Sequence, residues 1–203
     1  MRRIAAVSVF ALAVSGLAHA QAAPPSAVQI RGHYIGEPVT RFVKLEVDAR
    51  DEVDVCRDHP DRVDCIHILN AVDGKGRAEI STIIPADLFH LTNSDARDSI
   101  NFTLDGGQLV KLTMSVNDLP ALMQSLGHAS SESDAPAQGA NGAKWTNHIS
   151  VWDTPAAYIS VYQDNNPVLT DHRPVLVIET PAEHARNSVA DVAAKQSVSA
   201  QSQ

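Results

Sequence analysis

The chain has 203 residues, of which 44% are hydrophobic and only 4% aromatic, and its 24 Asp and Glu outnumber 16 Lys and Arg for a formal net charge of −8. This composition is ordinary for a globular protein with one buried core, and Val, Ile and Leu must fill that core because aromatic residues are scarce. An acidic chain has no broad cationic field to gather phosphates, which argues against nucleic acid and anionic membrane surfaces as main partners.

The first twenty residues have the features of a secretion signal. Residues 1–3 (MRR) are a short basic start, residues 4–17 are mainly apolar, and residues 18–20 (AHA) form a small-x-small cleavage site. The apolar run is too short to span a bilayer and no later run reaches about eighteen residues, so we expect cleavage after Ala20 and no membrane span. Loss of Arg2 and Arg3 leaves 14 cationic side chains, so the mature 183 residues carry about −10 in the periplasm or outside the cell.

The two cysteines, Cys56 and Cys65, enclose eight residues, and export places them in an oxidising compartment. We therefore predict one disulfide that closes a short loop. A redox site favours a Cys-x-x-Cys spacing, which is absent, so the bond is expected to be structural rather than reactive or metal-binding.

After a loose leader at 21–27, alternation of apolar and polar residues from Val28 to Val47 predicts strands with one buried face. A turn at 49–51 then leads into Val53 and Val55, which precede the cysteine loop. Apolar runs at 66–72 and 78–84 flank Asp-Gly-Lys-Gly at 73–76, a sequence typical of a hairpin turn.

Further along, Asp-Gly-Gly at 105–107 predicts a hairpin with a three-residue loop, which sets Phe102 opposite Val110. Short helices are expected near 85–91 and 119–126, the second with Asp118 as its N-cap and Gly127 at its end. Residues 127–143 contain no large apolar side chain and are interpreted as a flexible insertion.

Strong strand patterns return at 145–163 and 174–180. A capping box, Thr-Pro-Ala-Glu at 180–183, predicts a helix at the start of an Ala/Ser/Gln-rich tail, 182–203. The fold class follows as mainly β: one domain over 28–181, an antiparallel β-sandwich or curved sheet of about eight to ten strands with one or two short helices. The alternative is an α+β arrangement with the C-terminal helix on the sheet.

The sequence contains no nucleophile elbow, P-loop, dinucleotide fingerprint, zinc-protease motif or calcium loop, so neither catalytic residues nor a cofactor are predicted. The acidic stretch from Asp51 to Asp64 is interpreted as a solvated loop. His33, His67 and His148 lie on predicted strands, but ligand spacing is missing and no metal site is assigned to them.

The late hairpin around 153–155 carries the most informative pattern. A three-residue loop places four residues on one face: Trp152, Tyr158, Tyr162 and His148. Aromatic side chains with polar tips provide contact area and hydrogen bonds at low entropy cost, which is typical of recognition surfaces. The competing interpretation is that a second sheet or the tail helix covers this face.

We therefore expect an exported, acidic, non-catalytic binding or accessory module that uses this face to bind a protein or polymer of the envelope or extracellular space. One alternative is a small periplasmic hydrolase in which His148 activates Ser150 or Ser160. A second alternative is a metal-binding protein that uses the strand histidines.

Overall fold

A computed structural model describes residues 28–84, 98–139, 142–169 and 173–190. The predicted signal, the leader at 21–27 and the helix expected near 85–91 lie outside these ranges. In chain order the elements are α1 (Val39–Leu45), α2 (Val47–Asp58), α3 (Val63–Val72), β1 (Arg77–Ile84), β2 (Asp98–Asp105), β3 (Gln108–Ser115), α4 (Leu119–Leu126), β4 (Ser131–Gln138), β5 (Lys144–Asp153), β6 (Tyr158–Gln163), β7 (Val175–Glu179) and α5, described over 181–190.

The strands form one antiparallel sheet in the order β1-β2-β3-β7-β6-β5-β4. The predicted mainly antiparallel fold is confirmed. It has seven strands in the described ranges rather than eight to ten, and five helices rather than one or two. Helices, not a second sheet, pack against the side of the sheet that we call the inner face.

The first three helices replace strands that the sequence predicted at 39–47, 53–55 and 66–72. The buried positions from α1 through α2 recur every three or four residues, which is the period of a helix and not of a strand. The apolar residues that produced the apparent alternation are exposed, with Leu45 at 47% and Val47 at 51% of their full accessible area. The connection at 73–76 accordingly joins a helix to a strand and is not a hairpin.

The core lies between these helices and the inner face of the sheet. Phe42 of α1 and Phe102 of β2 are both fully buried, and their ring centroids are 4.9 Å apart. Ile80, Leu112 and Ile178 extend the same face across β1, β3 and β7. The helices and the sheet thus share one hydrophobic cluster.

The β2–β3 hairpin differs in register from the prediction. Phe102 pairs with Leu112, not Val110, because a two-residue connection is followed by a bulge between Thr103 and Leu104. Gly106 and Gly107 have φ of 56° and 78°, which other residues adopt only with strain. The shift is by two residues, so the apolar residues of both strands still share the inner face.

The predicted caps of α4 and α5 are present. Asp118 Oδ1 accepts a hydrogen bond from Ala121 N at 3.0 Å, and Thr180 Oγ1 accepts one from Glu183 N at 3.1 Å. The Glu183 carboxylate does not turn back to the cap; it binds both terminal nitrogens of Arg77 at 2.8 and 3.1 Å. This pair joins α5 to the first residue of β1.

The segment interpreted as a flexible insertion contains β4, the edge strand next to β5. Most of its side chains are exposed, so it adds backbone pairing but little apolar burial. The sequence therefore correctly indicated that this segment supplies no core residues, but missed its strand. Within the described ranges, no helix combines the length and the apolar character needed to cross a bilayer.

The predicted disulfide is confirmed: Cys56 of α2 is bonded to Cys65 of α3, and both residues are buried. Reduction is expected to lower the free energy of unfolding by about 2 to 3 kcal/mol, because the bond restricts the unfolded chain. Urea unfolding of oxidised and reduced protein measures the difference. A Cys56→Ala/Cys65→Ala variant is the control, since reductant cannot affect it; an equal response of both proteins would contradict the prediction.

Candidate functional site

The predicted recognition face is divided between the two sides of the sheet. Trp152 pairs with Ile159, so the hairpin connection spans 154–157 and not three residues. Thr154 closes it through hydrogen bonds with both backbone groups of Ala157, at 2.8 and 3.0 Å. The pairing is shifted by an odd number of residues, which turns one strand over relative to the prediction. Trp152 and His148 consequently lie on the inner face, and Tyr158 and Tyr162 lie on the opposite, outer face.

Trp152 is only 5% exposed and contacts the end of α4. Its indole Nε1 donates to the backbone oxygen of Gly127, the C-cap of that helix, at 3.1 Å. A helix C-terminus leaves several carbonyl groups without intrahelical partners, and this bond satisfies one of them. Trp152 therefore anchors α4 to the sheet.

His148 is half-buried, and its Nδ1 lies 2.9 Å from Asp134 Oδ1 of the neighbouring edge strand. The serine that shares its face, Ser150, is fully buried, and its Oγ has no hydrogen-bond partner. Ser160 pairs with Val151 and so lies on the outer face. The structure supplies an acid for the histidine that the sequence did not indicate, but it does not join the histidine to either serine.

The two tyrosines occupy different surroundings on the outer face. Tyr158 stacks on His184 of α5 with ring centroids 3.4 Å apart, and burial together with Asp153 and Glu179 raises its pKa. The hydroxyl of Tyr162 accepts a hydrogen bond from Asn147 at 2.5 Å. Tyr158 thus helps to hold α5 on the outer face, and Tyr162 forms a polar contact with β5 near the C-terminal end of β6.

A pocket of about 300 Å³ lies between α4 and the sheet, and we call it the α4 pocket. Its apolar wall comes from four separate parts of the chain and consists of Ile30, Met114, Val116, Ala121, Leu122 and Leu176; Ser115, Asn117, Asp118 and Ser125 complete the lining. No residue of α4 is fully buried, although its leucines pack against the core. The sequence predicted this helix correctly but gave no signal for the pocket, whose walls meet only in the folded chain.

Ile30, one of the residues that line the α4 pocket, begins a tight turn that we call the Ile30–His33 turn. Ile30 and His33 exchange two backbone hydrogen bonds, at 3.0 and 2.9 Å. Arg31 and Gly32, between them, have φ of 54° and 83°. A positive φ is strained for arginine, so other contacts must stabilise this turn.

Those contacts converge on the buried ring of His33. Its Nδ1 is 2.5 Å from Glu37 Oε1 and its Nε2 is 3.4 Å from Glu46 Oε2, and the three side chains are at most 2% exposed. Arg41 pairs with Glu37, and Arg31 lies 3.5 Å from Glu46. We call these five residues the His33 cluster. Burial alone would lower the pKa of His33, but hydrogen bonds and charges from both glutamates outweigh it and raise the pKa above 6.5.

The predicted strand histidines are not brought together as metal ligands. His33 lies in the turn, His67 is exposed on α3, and His148 is on β5. Among the described residues, no group of three His, Cys, Asp or Glu side chains has an arrangement that could hold a metal ion. The acidic stretch from Asp51 to Asp64, which the sequence predicted to be a solvated loop, lies largely on α2 and the start of α3; the prediction of a loop was wrong, but the carboxylates are exposed.

Comparison of the chain with protein-family models, with curated proteins and with solved structures finds no match.

Proposed function

We propose that the protein is an exported, non-catalytic binding module that takes a small apolar ligand into the α4 pocket. The observation that carries this proposal is the pocket itself: a cavity of about 300 Å³ with six apolar residues in its wall and four polar residues around them. Sites for small molecules are commonly concave and mainly apolar, with a few polar groups that orient the ligand.

The two contacts that hold α4 to the rest of the protein suit a helix that covers such a ligand. Asp118 caps one end, and Trp152 binds the carbonyl of Gly127 at the other. Between these two points the helix buries no residue completely, so its apolar side has contact area left to gain. A ligand in the pocket removes that area from water and stabilises the helix.

The four residues predicted from the hairpin take separate roles in this proposal. Trp152 positions α4 and does not touch the ligand. The exposed parts of Tyr158, Tyr162 and His148 are our candidates for contact with an envelope or extracellular protein or polymer. Catalysis receives no support at this hairpin, because the buried Ser150 hydroxyl has no base as its partner.

Filling the α4 pocket is expected to abolish ligand binding. Ala121 lines the pocket from α4, and an Ala121→Trp side chain occupies the volume that a ligand needs. The probe is N-phenyl-1-naphthylamine, an uncharged dye that fluoresces in apolar sites, and titration measures its Kd. We expect micromolar affinity for the wild type and a loss of at least about tenfold for the variant, equivalent to about 1.4 kcal/mol.

The matched control is Gln124→Trp, which adds the same bulk to the same helix at a position outside the lining of the α4 pocket. This control should bind the dye as the wild type does, and circular dichroism should show the same fold for all three proteins. Equal dye affinity for Ala121→Trp and wild type, or no binding by the wild type, would rule out the α4 pocket as the site.

A further inference from the structure

The Ile30–His33 turn connects the α4 pocket to the His33 cluster. Ile30, at one end of the turn, is part of the pocket wall, and His33, at the other end, is the centre of the cluster. The two residues exchange both of their backbone hydrogen bonds across the turn. A change that displaces His33 therefore acts directly on Ile30, the residue that lines the pocket on this side.

The charges that face His33 come from four places in the chain. Glu37 precedes α1, Glu46 lies between α1 and α2, and Arg31 and Arg41 pair with these carboxylates from the turn and from α1. The remaining ring contacts, Phe42 of α1 and Phe102 of β2, are uncharged, with centroids 4.9 and 5.4 Å from that of His33. Arg41 also donates to Gly32 O at 3.1 Å, which ties the middle of the turn to α1.

Only the charged imidazole can donate from both ring nitrogens. In a neutral ring that keeps its Nδ1 proton for Glu37, the lone pair of Nε2 faces the carboxylate of Glu46. That arrangement replaces an attraction at 3.4 Å with a repulsion inside the protein, where water does not screen it. The strained backbone of Arg31 then loses one of the contacts that stabilise it.

We propose that the proton on His33 keeps the Ile30–His33 turn closed and thereby regulates the α4 pocket. The effect of the His33 proton on ligand binding rests on the proposed function. Its effect on the Ile30–His33 turn is independent of any ligand.

The direction of the pH effect follows from the raised pKa of His33. The folded protein binds this proton more tightly than the unfolded chain, whose histidine pKa is about 6.5. The stabilisation is therefore complete below about pH 6.5 and disappears as the pH rises through the raised pKa. The turn is therefore closed below about pH 6.5 and opens as the pH rises through the raised pKa of His33.

The experiment measures two quantities on the same protein from about pH 6 to pH 9, a range that begins below the unperturbed histidine pKa of about 6.5 and extends above it. Amide hydrogen exchange at residues 30–33, corrected for the intrinsic effect of pH, reports the turn. The Kd of N-phenyl-1-naphthylamine reports the pocket. Across this range we expect at least about fivefold faster corrected exchange and at least about fivefold weaker dye binding.

His33→Gln removes the titration, and exchange at the turn should then lose its corrected pH dependence. The control is His67→Gln, a change at an exposed histidine of α3, which should retain the wild-type profile. Should His33→Gln fail to fold, NMR titration of the His33 ring in the wild type replaces it. Its midpoint should lie above 6.5 and coincide with the midpoint of the exchange profile.

Exchange at residues 30–33 that does not vary with pH, or a His33 ring that titrates at or below 6.5, would overturn the proposal. An opening of the turn that leaves dye affinity unchanged would overturn the regulation of the pocket. Failure of the dye to bind at every pH would instead count against the proposed function, while exchange that still follows His33 would support the closed turn by itself.

Discussion

Replacing Trp152 with alanine is expected to lower the free energy of unfolding by about 3 to 5 kcal/mol, the usual cost of emptying a buried aromatic site. Trp152 is 5% exposed, and its indole donates to the carbonyl of Gly127. The change leaves a cavity against α4 and removes the bond that fixes the end of that helix. Urea unfolding followed by circular dichroism measures the loss, and dye binding in the α4 pocket should weaken with it.

Two further variants separate the causes of this loss. Trp152→Phe keeps most of the ring but not the indole N–H, and should cost about 0.5 to 1.5 kcal/mol, the usual net contribution of one hydrogen bond, because the bond to Gly127 O is lost. Trp145→Ala is the matched control: Trp145 is half-buried near the edge of the sheet and its Nε1 has no hydrogen-bond partner. If both alanine variants lost the same stability, Trp152 would have no special role in anchoring α4.

The second large effect is expected from Glu37→Gln. Glu37 is fully buried between the ring of His33 and the guanidinium of Arg41. A neutral amide in its place removes the carboxylate that His33 and Arg41 share, and Glu46 is then the single carboxylate of the His33 cluster, in contact with His33 and Arg31. Removing one partner from a buried ion pair commonly costs about 3 to 5 kcal/mol, so we expect the free energy of unfolding to fall by at least about 3 kcal/mol.

The control for Glu37→Gln is Asp51→Asn, which removes a carboxylate from an exposed ion pair with Arg50. Exposed pairs contribute little, so this change should alter stability by less than about 1 kcal/mol. Both variants are measured by urea unfolding near pH 6, where His33 is charged. Similar small losses in the two proteins would show that the His33 cluster does not stabilise the fold.

The parts of the fold that were predictable from sequence depend on local signals. The bounds of α4, 119–126, were predicted because an N-cap, a proline in the first turn and a terminal glycine all act within a few residues of the helix. The same holds for the start of α5. The prediction of the disulfide required only two cysteines close in sequence and the expectation of an oxidising compartment.

The first helices were missed because two periodic patterns overlap in the same residues. Val39, Val43 and Val47 favour strands by their branching, whereas the buried positions from α1 through α2 include Glu46, between the two helices, and small residues such as Ala49. Because a glutamate counts as polar in a sequence pattern, the buried Glu46 interrupts the helical spacing of apolar residues. Its carboxylate is buried because it belongs to the His33 cluster. Counting Ala49 and Cys56 as core positions would have revealed the three- and four-residue spacing.

The candidate site was missed for a different reason. One additional residue in the 154–157 connection moved Trp152 and Tyr158 to opposite faces, and a register of this kind depends on tertiary packing as much as on turn residues. The α4 pocket and the His33 cluster combine residues from separate elements. A single sequence without homologues contains no signal that pairs them.

The strand order also determines how far apart in sequence the paired residues lie. β1 to β3 and β4 to β7 each pair with their sequence neighbours, which closes only short loops. The two groups meet at β3 and β7, where Ser115 pairs with Val175, sixty positions later in the sequence. Closing that long loop has the larger entropic cost, so the two local sheets are favoured to form first and to join last. The Arg77–Glu183 pair also joins these two groups, since Arg77 begins β1 and α5 follows β7. We therefore expect α5 to attach to β1 in the late step of folding.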